Sequence, residues 1–140
     1  MPMACRSNPV MAIGRGLAPR LLALALIGLL AAAPARADEA FDAALAAYDR
    51  GDFAAAAQGF ERLAEAGNAD AMTNLGLMYL HGRSVARDEL QALALFSQAG
   101  AAGSPHALFN LAGMYRDGTG VTQDYRQAAE LLRAAAEAGH

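Results

Sequence analysis

An internal repeat with an offset of 36 residues constrains the fold of this chain more than any other feature. Residues 71–79 align with residues 107–115 without gaps, and nine further identities link residues 82–103 with residues 118–139. Repeats of this length with helical patterning are typical of solenoids, in which each unit buries its apolar faces only against its neighbours. We therefore predict an all-α fold, an α-solenoid of stacked antiparallel helix pairs with about three repeats, at 39–67, 69–103 and 105–139.

Turn chemistry divides each repeat into two helices. Asp88 and Asp124 are each followed three residues later by glutamine, which is the spacing of an N-terminal capping box. Ser104 precedes Pro105, the order expected at a helix start, and Asn68 can cap another helix. Glycines at 51, 67, 82, 103, 118 and 139 suit the left-handed conformation just after a helix. The predicted helices are 39–49, 53–66, 69–81, 88–102, 105–116 and 124–138.

The recurring residues have physical roles in stacking. Small side chains let neighbouring helix axes approach, larger apolar side chains fill the space between them, and the remaining positions start or end helices. The repeat-defining residues are Leu75, Gly76, Tyr79, Gly82, Asp88, Ala92, Phe96, Gly103, Leu111, Tyr115, Gly118, Asp124, Ala128 and Gly139.

These residues resemble the Sel1-like repeat, a tetratricopeptide-like unit. The second copy reads Ala-x-x-x-Leu-Gly-x-x-Tyr from Ala71 and Gly-x-x-Val-x-x-Asp from Gly82. The third copy departs at Ala112 and Leu132, and the first has a shorter loop, as in tetratricopeptide units. The resemblance implies a right-handed solenoid that binds proteins, as adaptors do in envelope or secretion-linked processes.

The first 37 residues have the order of a secretory signal peptide. Arg15 and Arg20 precede the apolar run Leu21–Ala33, which is shorter than the roughly 20 residues needed to span a bilayer. Small residues at 35 and 37 then suit a cleavage site. We predict cleavage after Ala37, a repeat domain at 38–140, a periplasmic or secreted location, and no stable membrane insertion after cleavage. Whether translation starts at Met1 or at residue 11 stays open.

The charge distribution narrows the classes of partner. All 14 acidic residues follow residue 37, but only seven of the 11 arginines do, and the chain has no lysine. An acidic repeat domain is a poor match for nucleic acid, because phosphate binding needs clustered cations. The expected partner is therefore a protein, whose identity the sequence does not give.

The first helix of each repeat is expected to line the concave surface of the solenoid. Leu77, Leu80 and Phe109 are apolar at positions where a merely solvated face would be polar, and Arg116 could pair with a carboxylate. An alternative is that these side chains pack inside the short superhelix or against the helix nearest the signal segment. The predicted partner-binding residues are Thr73, Leu77, Leu80, His106, Phe109 and Arg116.

Catalytic signals are weak. The sole cysteine, Cys5, precedes the apolar run, and no histidine stands at metal-ligand spacing with another. We therefore expect no enzyme activity, no metal and no cofactor. Two other functions stay open: a cell-wall or β-lactam hydrolase, as proposed for cysteine-rich Sel1 relatives, and a structural component of an envelope assembly. The last repeat has no helix after it to cap it, which also allows a homodimer through that end.

Overall fold

Six helices account for most of the chain that the structure, a computed structural model, describes, namely residues 35–139. They are α1 (35–49), α2 (Phe53–Glu65), α3 (Ala69–His81), α4 (Glu89–Ala101), α5 (Pro105–Asp117) and α6 (Tyr125–Glu137). No residue between 35 and 139 lies in a strand, and the predicted all-α class is confirmed. The predicted signal peptide lies outside the described residues except for positions 35–37.

Side chains cap the helices where the sequence predicts. The Asn68 Oδ1 accepts a hydrogen bond from the Ala71 amide at 2.8 Å, and the Asp88 Oδ1 accepts one from the Gln91 amide at 3.0 Å. Asp124 and Ser104 do the same for α6 and α5. These bonds satisfy amides that have no partner within their own helix. All six glycines predicted at helix ends have positive φ angles.

The reciprocal half of the capping box is replaced by a loop contact. In a capping box the Gln91 side chain would accept a hydrogen bond from the Asp88 amide. Here the Asp88 amide donates instead to the carbonyl of Tyr79, near the end of α3, at 3.0 Å. One repeat later, the Asp124 amide donates to the Tyr115 carbonyl at 2.8 Å. The bond closes each seven-residue connection on the helix before it and gives the amide of the N-cap residue a partner.

Stacked pairs build the core. From Glu39 onward the chain forms one unit in which α3 packs on α2 and α4, and α5 packs on α4, α6 and α3. The largest fully buried side chains are Phe60, Met78 and Phe96. Phe96 packs with Leu111 of the following repeat in one apolar cluster. The second repeat therefore supplies an aromatic side chain to its interface with the third, as stacking of neighbouring repeats requires.

An arginine joins the loops of the first two repeats. The Arg83 guanidinium lies 5.7 Å from the ring centroid of Tyr48 and 5.1 Å from that of Phe53, and these two rings meet edge to face. The rings flank the short turn between α1 and α2, and Arg83 lies in the longer loop after α3. Such a cation–π contact is worth about 0.5–1 kcal/mol at an exposed site.

Ser104 is expected to contribute more to stability than an ordinary surface serine. It is buried, its Oγ accepts from the Ala107 amide at 3.3 Å, and it lies 3.4 Å from the Thr73 hydroxyl of the preceding repeat. Ser104→Ala should lower the free energy of unfolding by about 1 kcal/mol, because α5 loses its N-cap. Ser97→Ala, at an exposed position within α4, is the control and should change it by less than about 0.5 kcal/mol. Equal losses in urea denaturation would contradict the capping role.

Candidate functional site

Two adjoining cavities lie along the first helices of the second and third repeats. The larger has a volume of about 510 Å³ and lies between α3, α5, the loops that follow them and Leu132 of α6. The smaller has a volume of about 370 Å³ and lies towards the N-terminal ends of α3 and α5. Leu77 and Asn110 line both cavities, so the two cavities form one continuous groove.

Every residue predicted to bind a partner lines this groove. Leu77, Leu80, Phe109 and Arg116 line the larger cavity, and Thr73, Leu77 and His106 line the smaller. Phe109 is 48% exposed, a high value for a large aromatic side chain. The spacing along α3 and α5 thus gathers the six residues on one surface, although their role in binding stays a prediction.

Thr73 belongs to the groove wall but offers little surface to a ligand. It is only 5% exposed. Its hydroxyl donates to the Ala69 carbonyl at 2.8 Å and lies close to Ser104. The side chain therefore holds α3 against the start of α5, and the surface for a partner is supplied by its neighbours.

Arg116 already has an anionic neighbour. Its Nε and Nη2 donate to the two carboxylate oxygens of Asp117 at 2.8 and 3.0 Å. This hydrogen bond lowers the pKa of the Asp117 carboxyl and raises that of the Arg116 guanidinium. Arg87, on the same cavity, makes a single contact of this kind, from its Nη2 to the Glu89 Oε1 at 2.6 Å. Both pairs are largely exposed, so each holds its arginine only weakly.

Two asparagines of the groove were not singled out from the sequence. Asn74 and Asn110 lie 36 residues apart, and each side-chain amide donates to the carbonyl four residues earlier, at 2.9 and 2.8 Å. The bond fixes the side chain and leaves the amide one further N–H and its oxygen. Their shared position in the repeat is a signal in the sequence, but polar residues on the solvent-facing side of a helix are common and do not by themselves predict a binding site.

The described part of the chain does not bring metal-ligating side chains together. Among residues 35–139, no three histidine, cysteine, aspartate or glutamate side chains come together as a metal site would need. His81 and His106 line different cavities. What the groove presents is apolar surface, two fixed amides and paired charges, a combination suited to recognising a polypeptide.

Fold and groove define a class: α-solenoids of two-helix repeats that carry a groove on their first helices. The family model of the Sel1 repeat matches residues 69–104 and 105–140, so this chain belongs to the Sel1 repeat family. Proteins with this repeat are typically protein–protein interaction modules. The predicted family and solenoid fold are confirmed.

Solved structures of bacterial proteins share the fold. A Sel1 repeat protein from Oxalobacter formigenes is 32% identical, with a TM-score of 0.60 over 61% of this chain and 25% of that one. The antigen c5321, described as protective and present in uropathogenic Escherichia coli strains, is 29% identical, with a TM-score of 0.68 over 78% and 24%. This chain therefore spans about a quarter of the length of either protein.

A third neighbour shows the fold alone. Helicobacter pylori cysteine rich protein B is 18% identical, with a TM-score of 0.60 over 75% of this chain and 90% of that one. No curated protein matches the chain in sequence. None of the helices described between residues 35 and 139 has the length and hydropathy that a transmembrane span requires.

Proposed function

We propose that this protein is an exported adaptor that binds a segment of another protein in the groove formed by α3 and α5. The observation that carries the proposal is the continuous groove itself, in which side chains from successive repeats form one surface. Protein binding is the usual role of the Sel1 repeat, and the groove is where this chain offers apolar surface for it.

Apolar contact would supply most of the affinity. Leu77 and Leu80 are partly buried, and Phe109 is about half exposed, so all three keep surface that a partner can cover. Burial of apolar surface is worth about 25 cal/mol per Å², and aromatic side chains are common among the residues that dominate binding energy. Phe109 is therefore the expected anchor.

The amides of Asn74 and Asn110 would orient the bound segment. A side-chain amide has a donor and an acceptor, as a peptide group does, and can pair with the main chain of a bound segment whatever its sequence. Because each asparagine is already fixed by the carbonyl four residues earlier, little side-chain entropy would be lost on binding. An extended or a helical segment fits this combination of contacts.

Export is part of the same proposal. The signal-like order of residues 1–37 supports a periplasmic or secreted location. A protein of that location would meet its partner in the cell envelope or outside the cell. N-terminal sequencing of the protein recovered after export should begin at Asp38, and an intact N-terminal segment would contradict cleavage after Ala37.

Groove variants should lose the partner without losing the fold. The purified protein, immobilised, is used to capture partners from envelope extracts, which are then quantified by mass spectrometry. Leu77→Ser with Phe109→Ser should remove the captured partner, because both changes replace apolar surface of the groove by hydroxyls. Far-UV circular dichroism should show unchanged helicity.

A matched change outside the groove is the control. Leu90→Ser replaces a leucine on α4 that is 67% exposed and lines neither groove cavity, so it should keep the captured partner. Capture that survives the groove changes, or that Leu90→Ser abolishes equally, would contradict the proposed site. A loss of helicity in the groove variant would instead favour the alternative that these side chains are core residues.

A further inference from the structure

The second helix of a repeat presents one face to the repeat that follows. On α4 this face includes Phe96 and Gly100. Phe96 is fully buried and packs with Leu111 of α5, and a Cβ placed on Gly100 would lie 2.8 Å from the Leu108 Cδ2. On α2 the corresponding face includes Phe60, also fully buried. The helices α2 and α4 therefore bury the same position of the repeat.

The equivalent face of α6 is apolar and exposed. Adding 36 to residues 89, 93, 96 and 100 of α4 gives Tyr125, Ala129, Leu132 and Ala136, which lie on one side of α6 with spacings of four, three and four. All four are exposed, Tyr125 to 66% and Leu132 to 44%. Within residues 35–139 no helix covers this face, although its counterparts on α2 and α4 are covered.

The order of large and small residues on this face is self-complementary. Large residues stand at 125 and 132, and alanines stand at 129 and 136. If two copies of α6 pack antiparallel about Leu131, Tyr125 of one copy lies close to Ala136 of the other, and Leu132 lies close to Ala129. Each large side chain then meets a small one, the arrangement that lets two helices pack closely.

The charges beside this face agree with the same register. Arg126, Glu130, Arg133 and Glu137 each follow a residue of the apolar face by one position, and all four are exposed. In the antiparallel pair centred on Leu131, Arg126 of one copy lies near Glu137 of the other, and Glu130 lies near Arg133. The two residues of each pair are offset along the helix axis by about 1.5 Å, because each lies one position from the residue directly opposite and the α-helix rises about 1.5 Å per residue.

We propose that α6 is a homodimerisation surface, on which a second copy of this chain packs antiparallel about Leu131. The dimer resembles the stacking that joins the repeats of residues 39–139, and it covers an apolar face of α6 that is exposed among the described residues. An isologous contact of this kind closes on itself and forms no filament. Because one helix supplies most of the surface, we expect a dimer that dissociates on dilution.

Sedimentation and light scattering test the proposal on the full protein. The mass should rise from one copy towards two over about a hundredfold range of concentration, by mass action. Ala129→Glu places a carboxylate at the centre of the contact and should raise the dissociation constant by about tenfold or more. Ala94→Glu, at an exposed alanine of α4 away from this face, should leave the dimer unchanged.

Charge exchange tests the antiparallel register. In the two-fold dimer, residue 130 of each copy faces residue 133 of the other, which gives two such contacts. Glu130→Arg alone or Arg133→Glu alone makes both contacts repulsive, and each change should weaken the dimer several-fold. The double variant restores opposite charges and should restore the dissociation constant. Circular dichroism controls for folding. A mass of one copy at every concentration, or a dimer that Ala129→Glu leaves intact, would overturn the proposal, and a double variant as weak as the single ones would overturn this register.

Discussion

Replacing Phe96 with alanine should lower the free energy of unfolding by about 3–5 kcal/mol, the range measured for large buried aromatic side chains. Phe96 is fully buried at the point where the second repeat meets the third, and the change leaves a cavity between them. A domain of this size has only about 5–15 kcal/mol of stability in total. Urea denaturation should therefore find the variant close to unfolding at 37 °C.

The neighbour of Phe96 makes a sharper test possible. A Cβ on Gly76 would lie 2.7 Å from the Phe96 Cε1, so the ring occupies the space that any larger residue would need. In the third repeat, Ala112 stands at the position of Gly76 and adds a methyl group. Leu132 stands at the position of Phe96 and has a smaller side chain. The two departures from the repeat pattern are thus opposite in volume: the residue at the glycine position is larger and the residue at the phenylalanine position is smaller.

A double-mutant cycle should expose this coupling. Gly76→Ala alone should cost about 1–2 kcal/mol, because crowding against the ring exceeds the gain in helix propensity. Phe96→Leu alone should cost about 1–2 kcal/mol through lost burial. The double variant, which copies the third repeat, should cost at least about 1 kcal/mol less than the sum of the two.

Gly113 provides the matched control for the glycine change. It lies in α5, and a Cβ there would meet no atom within 4 Å. Gly113→Ala should therefore raise the free energy of unfolding by about 0.5–1 kcal/mol, through helix propensity alone. Additive costs in the cycle, or equal effects of the two Gly→Ala changes, would show that the ring does not set the size limit at residue 76.

Gly120→Ser should destabilise the protein by about 2–4 kcal/mol. Gly120 has a φ of +68°, a conformation that costs a residue with a Cβ about 1–2 kcal/mol. A Cβ there would also lie 3.0 Å from the Glu89 Cβ and 3.1 Å from the Glu89 carbonyl oxygen. Since part of the obstacle is backbone at the start of α4, relief requires the loop to move.

The equivalent residue one repeat earlier should behave differently. Ser84 stands 36 residues before Gly120 and is the only described residue other than glycine with a positive φ, +61°. The repeat before Ser84 joins its two helices through residues 50–52 only. The repeat before Gly120 joins its helices through the longer connection of residues 82–88. Ser84→Gly should change stability by less than about 1 kcal/mol, because relief of strain is offset by greater freedom of the unfolded chain.

Thermal and urea unfolding of both variants check this pair. The expected result is a large loss for Gly120→Ser and a small change of either sign for Ser84→Gly. A small effect of Gly120→Ser would mean that the loop after α5 does not pack closely on the start of α4. A large loss at Ser84→Gly would mean that the serine side chain itself holds the preceding loop.

Local rules explain why so much of the fold was predictable. N-caps at Asn68, Asp88, Ser104 and Asp124 bond to amides two or three residues away, and glycine ends a helix through its own φ angle. The offset of 36 residues then fixes which helices are equivalent. The observed helix ends consequently differ from the predicted ones by one residue at most after residue 52.

The groove was predictable in position and less so in detail. The helical period places Leu77, Leu80 and Phe109 on one side of α3 and α5, as the cavities show. The same period gave no sign that Thr73 is almost fully buried, because that depends on Ser104 of the next repeat. Nor did it show that Arg116 pairs with Asp117, since adjacent residues usually point in different directions on a helix.

By itself the sequence determined the repeat, its family, the six helices and the small and aromatic residues that stack them, because these depend on interactions within about one helical turn or on exact recurrence. Only the tertiary structure decided which equivalent positions differ in burial: Phe96 is covered and Leu132 is open, and Gly120 is crowded where Ser84 tolerates a side chain. The physical reason is that repeats identical in pattern have different neighbours, and packing against a neighbour sets exposure and steric limits.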